Sequence, residues 1–374
     1  MLRACSALLL ALLLAACVTP PKTIGQIVVA DTQTATSEKV LVVTNRQKSP
    51  DKSQLFNGER SDALHFAEMV VSVPRNREPG TIKPPKEKPD LARDFGVTSA
   101  TLTDDEAVFA SRLQSDLASL PAGKRSVFIF VHGYNVSFAA GLFAAAQLHH
   151  DYKVPGVSMH YSWPSAQKTA LYLYDRDSAE YARDGLTRAL KIAAAAKPES
   201  ITVLAHSMGT FLTMEAMRTL ALTGDTATIG KIDALILAAP DIDVDVFRSQ
   251  LASLTTRPKA MIVLVSEEDK ALKLSGELRG GRPRVGAGAN KEELVAEGLI
   301  VLDIATLRKK GDKLSHSTFA NSETLINLVN GGLNLAAIER AKSNKAGVVG
   351  DSLGIAGDLL SSIVYLPAQI VGAR

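Results

Sequence analysis

Leu204-Ala205-His206-Ser207-Met208-Gly209-Thr210-Phe211 follows the β-rich run Ser200 to Val203 and opens a helix-like stretch ending near Leu222. A serine on such a strand-to-helix turn has its hydroxyl pushed out at the carboxyl edge of a sheet, with the positive end of a helix behind it. That is where a nucleophile is useful. The turn needs small residues two before and two after the serine so that strand and helix can approach, and here they are Ala205 and Gly209. The string alone is weak, because chance supplies small-x-Ser-x-Gly on the order of 0.2 times in a chain of this length. A serine there also fits an ordinary helix cap, accepting from the next turn's N–H groups.

A serine hydroxyl is a poor nucleophile without a base to take its proton and a group to orient that base. Of the seven histidines only His316 lies C-terminal to Ser207, in the polar run Ser315-His316-Ser317, and it is the expected base. His206, inside the turn, points away from the line of attack and reads as packing. Two loops offer the orienting acid: Asp269, after Met261 to Val265, and Asp241, after Ala234 to Leu237. Asp269 is preferred, with Glu267 and Glu268 beside it; Asp243 and Asp245 fit the first turn of the next helix, where negative charge favours the dipole. The N–H groups of Met208, at the helix start, and of Tyr134, after His132-Gly133, are the expected oxyanion donors. For that loop, too, an ordinary turn around Gly133 is the plain alternative.

These side chains need a frame. Apolar runs of strand length lie at Val127 to Val131, Val157 to Tyr161, Ile201 to Leu204, Ala234 to Leu237, Met261 to Val265 and Leu299 to Ile304. Helix-like segments separate them: roughly Phe138 to His150, Ser178 to Ala195, Met208 to Ala221, Val244 to Leu254 and Lys291 to Ala296. Continuous apolar strands alternating with helices predict a parallel sheet covered on both faces, with its ligand site at the carboxyl ends of the strands. Val40 to Thr44 and Ala67 to Val73 add two strands, making an eight-stranded α/β sheet. A capping box at Thr103 and Glu106 predicts a helix to Leu120, and Ile27 to Ala30 fits a short strand.

The chain has 374 residues, 46% of them hydrophobic and 22% charged, as ordinary globular proteins do. A net charge of +3 and the lack of a basic block with interleaved aromatics argue against a nucleic-acid partner. No histidine, cysteine or carboxylate spacing fits a metal site, and no phosphate loop or dinucleotide fingerprint is present, so no cofactor is expected. Gly280-Gly281 and Gly286-x-Gly288 belong to a basic segment, Leu272 to Ala289, that reads as a mobile loop gating the site. Nothing in the sequence points to a particular oligomeric state.

At the N-terminus, Arg3 precedes an apolar run from Ala7 to Ala16, as in a secretory signal, too short to span a bilayer permanently. Leu14-Ala15-Ala16-Cys17 resembles the lipobox of bacterial lipoproteins, which implies cleavage before Cys17 and its acylation. Only Cys5 and Cys17 occur, so the mature chain would keep one cysteine and no internal disulfide. Val18 after the cysteine implies, by the same resemblance, the outer membrane facing the periplasm. The expected organisation is a signal peptide over 1–16, a tether over 17–37, a catalytic domain over 38–335 and an apolar C-terminal extension over 336–374. That extension either packs on the domain or lies in the membrane interface beside the lipid anchor.

The order His132-Gly133, Ala205-x-Ser207-x-Gly209, Asp269, His316 resembles the α/β-hydrolase superfamily. The strings Phe130-Val131-His132-Gly133-Tyr134-Asn135-Val136-Ser137, Tyr161-Ser162-Trp163-Pro164-Ser165 and Ala205-His206-Ser207-Met208-Gly209 are similar to a bacterial branch of uncharacterised esterase/lipase-like hydrolases. Weaker matches run through Gly58-Glu59-Arg60-Ser61-Asp62 and Asp269-Lys270-Ala271-Leu272 to His316-Ser317, so the likeness spans about Val40 to Phe319. It implies an α/β-hydrolase fold and a Ser-His-Asp hydrolase of small-molecule or lipid esters working through an acyl-enzyme. Ala205 departs from the usual glycine and is a tolerated small residue. The contrasting expectation is a catalytically silent lipoprotein of the same fold, serving as an envelope binding or scaffold module.

Overall fold

The computed structural model describes residues 21–307, 314–330 and 364–365; the expected signal peptide, Cys17 and nearly all of the expected C-terminal extension lie outside the described residues. Three antiparallel strands come first: β1 (Ala35–Lys48), β2 (Phe56–Pro74) and β3 (Gly96–Thr103). The parallel strands are β4 (Ser126–Val131), β5 (Val157–Ser162), β6 (Ser200–His206), β7 (Ile232–Ala238), β8 (Ala260–Val265) and β9 (Ile300–Asp303). β1 joins them through β5, and β10 (Val364–Tyr365) runs antiparallel along β9. The order across the sheet is β10-β9-β8-β7-β6-β4-β5-β1-β2-β3.

All eight expected strands are present, but among the described residues the sheet has ten. The two additions are edge strands with little apolar signal: β3 reads Gly-Val-Thr-Ser-Ala-Thr-Leu-Thr, and β10 is two residues long. Ile27 to Ala30 is not a strand, because a single backbone bond, Val28 N–H to Val97 O at 3.1 Å, stands in place of a ladder. β1 begins at Ala35, within the stretch read as tether, and Ile24 is already buried.

The helices are α1 (Glu106–Ser119), α2 (Phe138–Asp151), α3 (Tyr172–Tyr181), α4 (Arg183–Ala195), α5 (Met208–Leu222), α6 (Thr226–Gly230) and α7 (Val244–Ala252). α8 (Lys270–Leu278), α9 (Lys291–Ala296), α10 (Thr318–Asn321) and α11 (Glu323–Asn330) follow. Alternate strand residues feed two cores. Leu41, Val43, Ile129, Val203 and Val263 pack against α1 and α3 to α7, whereas Val40, Val42, Phe128, Phe130 and Leu264 pack against α2, α10 and α11.

Two local expectations change. Asp105 caps α1, accepting from the N–H groups of Ala107 and Val108, while the Thr103 hydroxyl only receives the Asp105 N–H. The helix expected over Ser178 to Ala195 is two helices meeting at Ala182. The buried Tyr161 hydroxyl donates to the Ala182 carbonyl at 2.8 Å, giving that oxygen a partner outside the helical ladder where the two helices meet.

The strand order places the site. β4 lies between β5 and β6, so the chain leaves it in one direction and returns on its other side, opening a crevice at the carboxyl ends of β4 and β6. β1 is secured to the end of α2 by Glu38, whose two oxygens accept from His149 and His150, each at 2.8 Å. Burial works to raise the Glu38 pKa, but the two imidazole hydrogen bonds and their charges outweigh it and bring the pKa to about 2. A folded pKa below the ordinary 4.5 gives stability that is complete above that pH and lost as pH falls toward 2. Glu38→Gln is therefore expected to lower the unfolding free energy at neutral pH by roughly 2–3 kcal/mol. Denaturant melts across acid pH should show wild type converging on the variant; a constant gap would exclude this linkage.

Candidate active site

The elbow is built by close approach. Ser207, between β6 and α5, has φ 52° and ψ −125°, a left-handed conformation that costs a side-chain-bearing residue about 1–3 kcal/mol. It is held by its N–H donating to Ala238 O at 2.9 Å. The Ser207 side chain makes no capping bond to α5, so its hydroxyl is not used as a helix cap. A Cβ on Gly209 would lie 2.2 Å from the carbonyl oxygen of His132, and one on Gly133 would lie 2.9 Å from the Ser207 Cβ. Both positions therefore need glycine for contact rather than for backbone freedom. Ala205, fully buried, fits where the strand passes under this turn.

His316 stands in the loop before α10, and its Nδ1 is 2.7 Å from Asp269 Oδ2. A carboxylate can only accept, so the proton of this bond sits on Nδ1, and in the neutral ring Nε2 is then the basic nitrogen. Asp269 is fully buried, and its other oxygen accepts the Leu272 N–H at 3.0 Å as the cap of α8. The histidine loop is tied from both sides: Lys270 N–H donates to Leu314 O at 3.0 Å, and His206 Nε2–H donates to His316 O at 3.0 Å. His206 thus does more than pack, since it fastens the elbow to the histidine loop. Burial first, then the neighbouring charge of His316, lowers its pKa to about 3, which keeps the ring neutral.

Asp241 meets different partners. Its carboxylate accepts from Tyr172 at 2.7 Å and Ser275 at 2.6 Å and faces Arg284 Nε at 3.4 Å, while its N–H donates to Ser207 O at 3.4 Å. Asp243 caps α7 and Asp245 occupies its first turn. The segment Leu272 to Ala289 is not a loose flap: α8 fills its start, and Val285 and Gly286 donate to the Ile242 and Pro240 carbonyls at 3.0 Å. Gly286 packs so closely on Pro240 that a Cβ there would fall 2.5 Å from the proline nitrogen.

Met208 N–H stands at the first residue of α5, where no helical carbonyl precedes it. Tyr134 lies in the loop after β4, whose shape depends on residues that the sequence reading did not single out. Arg46, fully buried, donates to Ser162 Oγ at 2.9 Å, to the carbonyls of Asn57, Ser165 and Val136, and to His132 Nε2 at 3.2 Å. The His132 ring is held between Gly133 O, 2.8 Å from Nδ1, and Trp163 O and Arg46 Nη2, 3.1 and 3.2 Å from Nε2. Asp175 on α3 accepts from Asn135 N–H at 3.0 Å, Ala166 N–H at 2.6 Å and Ser165 Oγ at 2.5 Å. Burial raises its pKa against those bonds. No spacing in the sequence links Arg46 or Asp175 to this loop, and Arg46 stands in the polar stretch Thr44-Asn45-Arg46-Gln47-Lys48, where nothing marks it as buried. Among the described residues no cluster of histidine, cysteine and carboxylate side chains could hold a metal ion.

The family described as "Alpha/beta hydrolase of unknown function (DUF900)" matches residues 105–331. Among solved structures, the chain is similar to a predicted CIB-like hydrolase from Thermoplasma acidophilum, with 16% identity, 56% of this chain and 89% of that one covered, and a TM-score of 0.33. A fungal esterase from Rhizomucor miehei is 10% identical over 79% of this chain and 84% of its own, with a TM-score of 0.34. A thermostable esterase from Pseudomonas putida is 13% identical over 81% and 83%, with a TM-score of 0.35. No curated protein matches the sequence.

Asp175→Ala strips three donors of their acceptor and is expected to cost roughly 2–4 kcal/mol of stability. Hydrogen exchange should accelerate over 132–137 and 163–166 and stay unchanged over 269–278; a uniform change along the chain would refute a local clamp.

Proposed function

Since this chain belongs to the α/β-hydrolase family just described, we propose that it is a serine hydrolase of carboxylic esters. One observation carries the reading: the buried Asp269 carboxylate engages His316 Nδ1, in a loop fastened by His206 to the turn that bears Ser207. On this reading Ser207 Oγ attacks the ester carbonyl while its proton passes to His316 Nε2, and Asp269 stabilises the imidazolium that forms. The oxyanion lies between the N–H groups of Met208 and Tyr134, where each donor is worth about 2.7–4 kcal/mol in the transition state. Collapse of the tetrahedral intermediate breaks the bond to the alkoxy oxygen, which leaves as the alcohol with the proton from His316. Water then attacks the acyl-enzyme, His316 takes its proton and returns one to Ser207, and the carboxylic acid departs.

A fluorophosphonate probe is expected to label wild type and not Ser207→Ala, and to label Asp269→Asn slower by about 10³–10⁴. Unimpaired labelling of Ser207→Ala, or none of wild type, would overturn the assignment.

We further propose that acylated Cys17 anchors the protein in a bacterial envelope, the hydrolase body facing the periplasm from the outer membrane. The support is the sequence Leu14-Ala15-Ala16-Cys17 after an apolar run, and each buried acyl CH₂ adds about 0.8 kcal/mol of membrane affinity. Cys17→Ala should move the protein from the membrane to the soluble fraction; unchanged fractionation would discard the anchor.

A further inference from the structure

A pocket of about 350 Å³ adjoins the elbow. Phe211, one helical turn beyond Ser207, forms one wall, and Asp241, bonded through its N–H to the Ser207 carbonyl, forms another. Four guanidinium groups converge on it from two segments: Arg176 on α3, and Arg279, Arg282 and Arg284 after α8. Three carboxylates face the same space and are already engaged. Asp241 is held by Tyr172, Ser275 and Arg284, Asp243 caps α7, and Asp245 pairs with Arg282 at 3.8 Å and Arg248 at 3.4 Å.

Two of the arginines keep buried donors without acceptors. Arg284 is 2% exposed, yet its Nε and Nη2 are buried without a hydrogen-bond partner, the Asp241 contact being an ion pair without hydrogen-bond geometry. Arg176 lies over the Phe211 ring, forms no ion pair among the described residues, and has a buried Nη1 without a partner. Burial, together with the charge of Arg279 nearby, lowers the Arg176 pKa to about 10. Buried guanidinium N–H groups without acceptors are rare, and planar oxyanions are what the guanidinium fork fits.

We infer that this pocket holds a carboxylate or phosphate group of the substrate, so that the ester cleaved at Ser207 belongs to an anionic class. The inference rests on Ser207 being the nucleophile. Arg284 and Arg176 bind the anion, Arg279 adds charge at the same pocket, and the neutral ester carbon reaches the elbow past Asp241.

The test compares mono-4-nitrophenyl succinate with 4-nitrophenyl butyrate, which share a leaving group and a chain length. Wild type should show a kcat/KM ratio of at least about tenfold in favour of the succinate. Arg284→Gln deprives Asp241 of its buried partner and is expected to impair folding, so Arg176→Gln, half-buried and without an ion pair, is the deciding variant. It should bring the ratio toward one. Thermal melts with succinate or inorganic phosphate at constant ionic strength should raise the wild-type Tm more than that of Arg176→Gln, and the stronger anion identifies the group. A wild-type ratio near one, or an unchanged ratio in Arg176→Gln, overturns the inference. If the fluorophosphonate probe still labels Ser207 in that case, the nucleophile stands and only the pocket assignment falls. If the anions bind through Arg176 but the probe does not label, the nucleophile falls and takes the substrate assignment with it.

Discussion

The site depends on how closely the loop after β4 presses on the first turn of α5. The His132 carbonyl oxygen occupies the space a side chain on residue 209 would need, and the Ser207 Cβ does the same to residue 133. With strand, loop and helix at that separation, the residue between β6 and α5 has little choice of backbone, and Ser207 takes its left-handed conformation as a result. The strain is local and balanced by the sheet beneath it, where Ala205, Val203 and Val131 are wholly buried.

Around this contact the polar groups are arranged to stay fixed. His132 and His160 are buried and His206 is half-buried; all three are held neutral, His160 and His206 with pKa values lowered to about 3. Each spends a ring nitrogen on a backbone carbonyl: Gly133, Phe130 and His316 respectively. They serve as shape-keeping donors. Arg46 brings a full charge into the same region, and burial lowers its pKa to about 9, offset in part by Asp175. Such a buried cation is tolerable only because nearly every N–H has an acceptor.

Much of the frame was legible from apolar periodicity, since strands buried on both faces have no polar positions to confuse the reading. Ser207, Asp269 and His316 drew attention because each follows such a strand in sequence, and of them the structure joins Asp269 to His316 by a hydrogen bond. The edge strands were not legible: β3 alternates threonine and serine with small residues, and its place comes from pairing with β2. The division of α3 from α4 at Ala182 was not legible either, since the apolar positions continue across it. The arginine pocket was obscured because its charges come from α3 and from a glycine-rich stretch that looked mobile in isolation. Only the backbone bonds from Val285 and Gly286 to the loop after β7 give that stretch its form.

The short bonds between neighbouring loops carry an evolutionary consequence. Lys270 to Leu314, His206 to His316, and Asp241 to Ser207 join the ends of β6, β7 and β8 and the His316 loop into one mesh. Lengthening any one of these loops near its strand would shift its neighbours as well, so they are constrained to change length together. Gly280 and Gly281 lie outside the mesh, with open space where their side chains would be. Insertions and deletions among relatives should therefore gather there, while the loops that carry Ser207, Asp269 and His316 keep a common length.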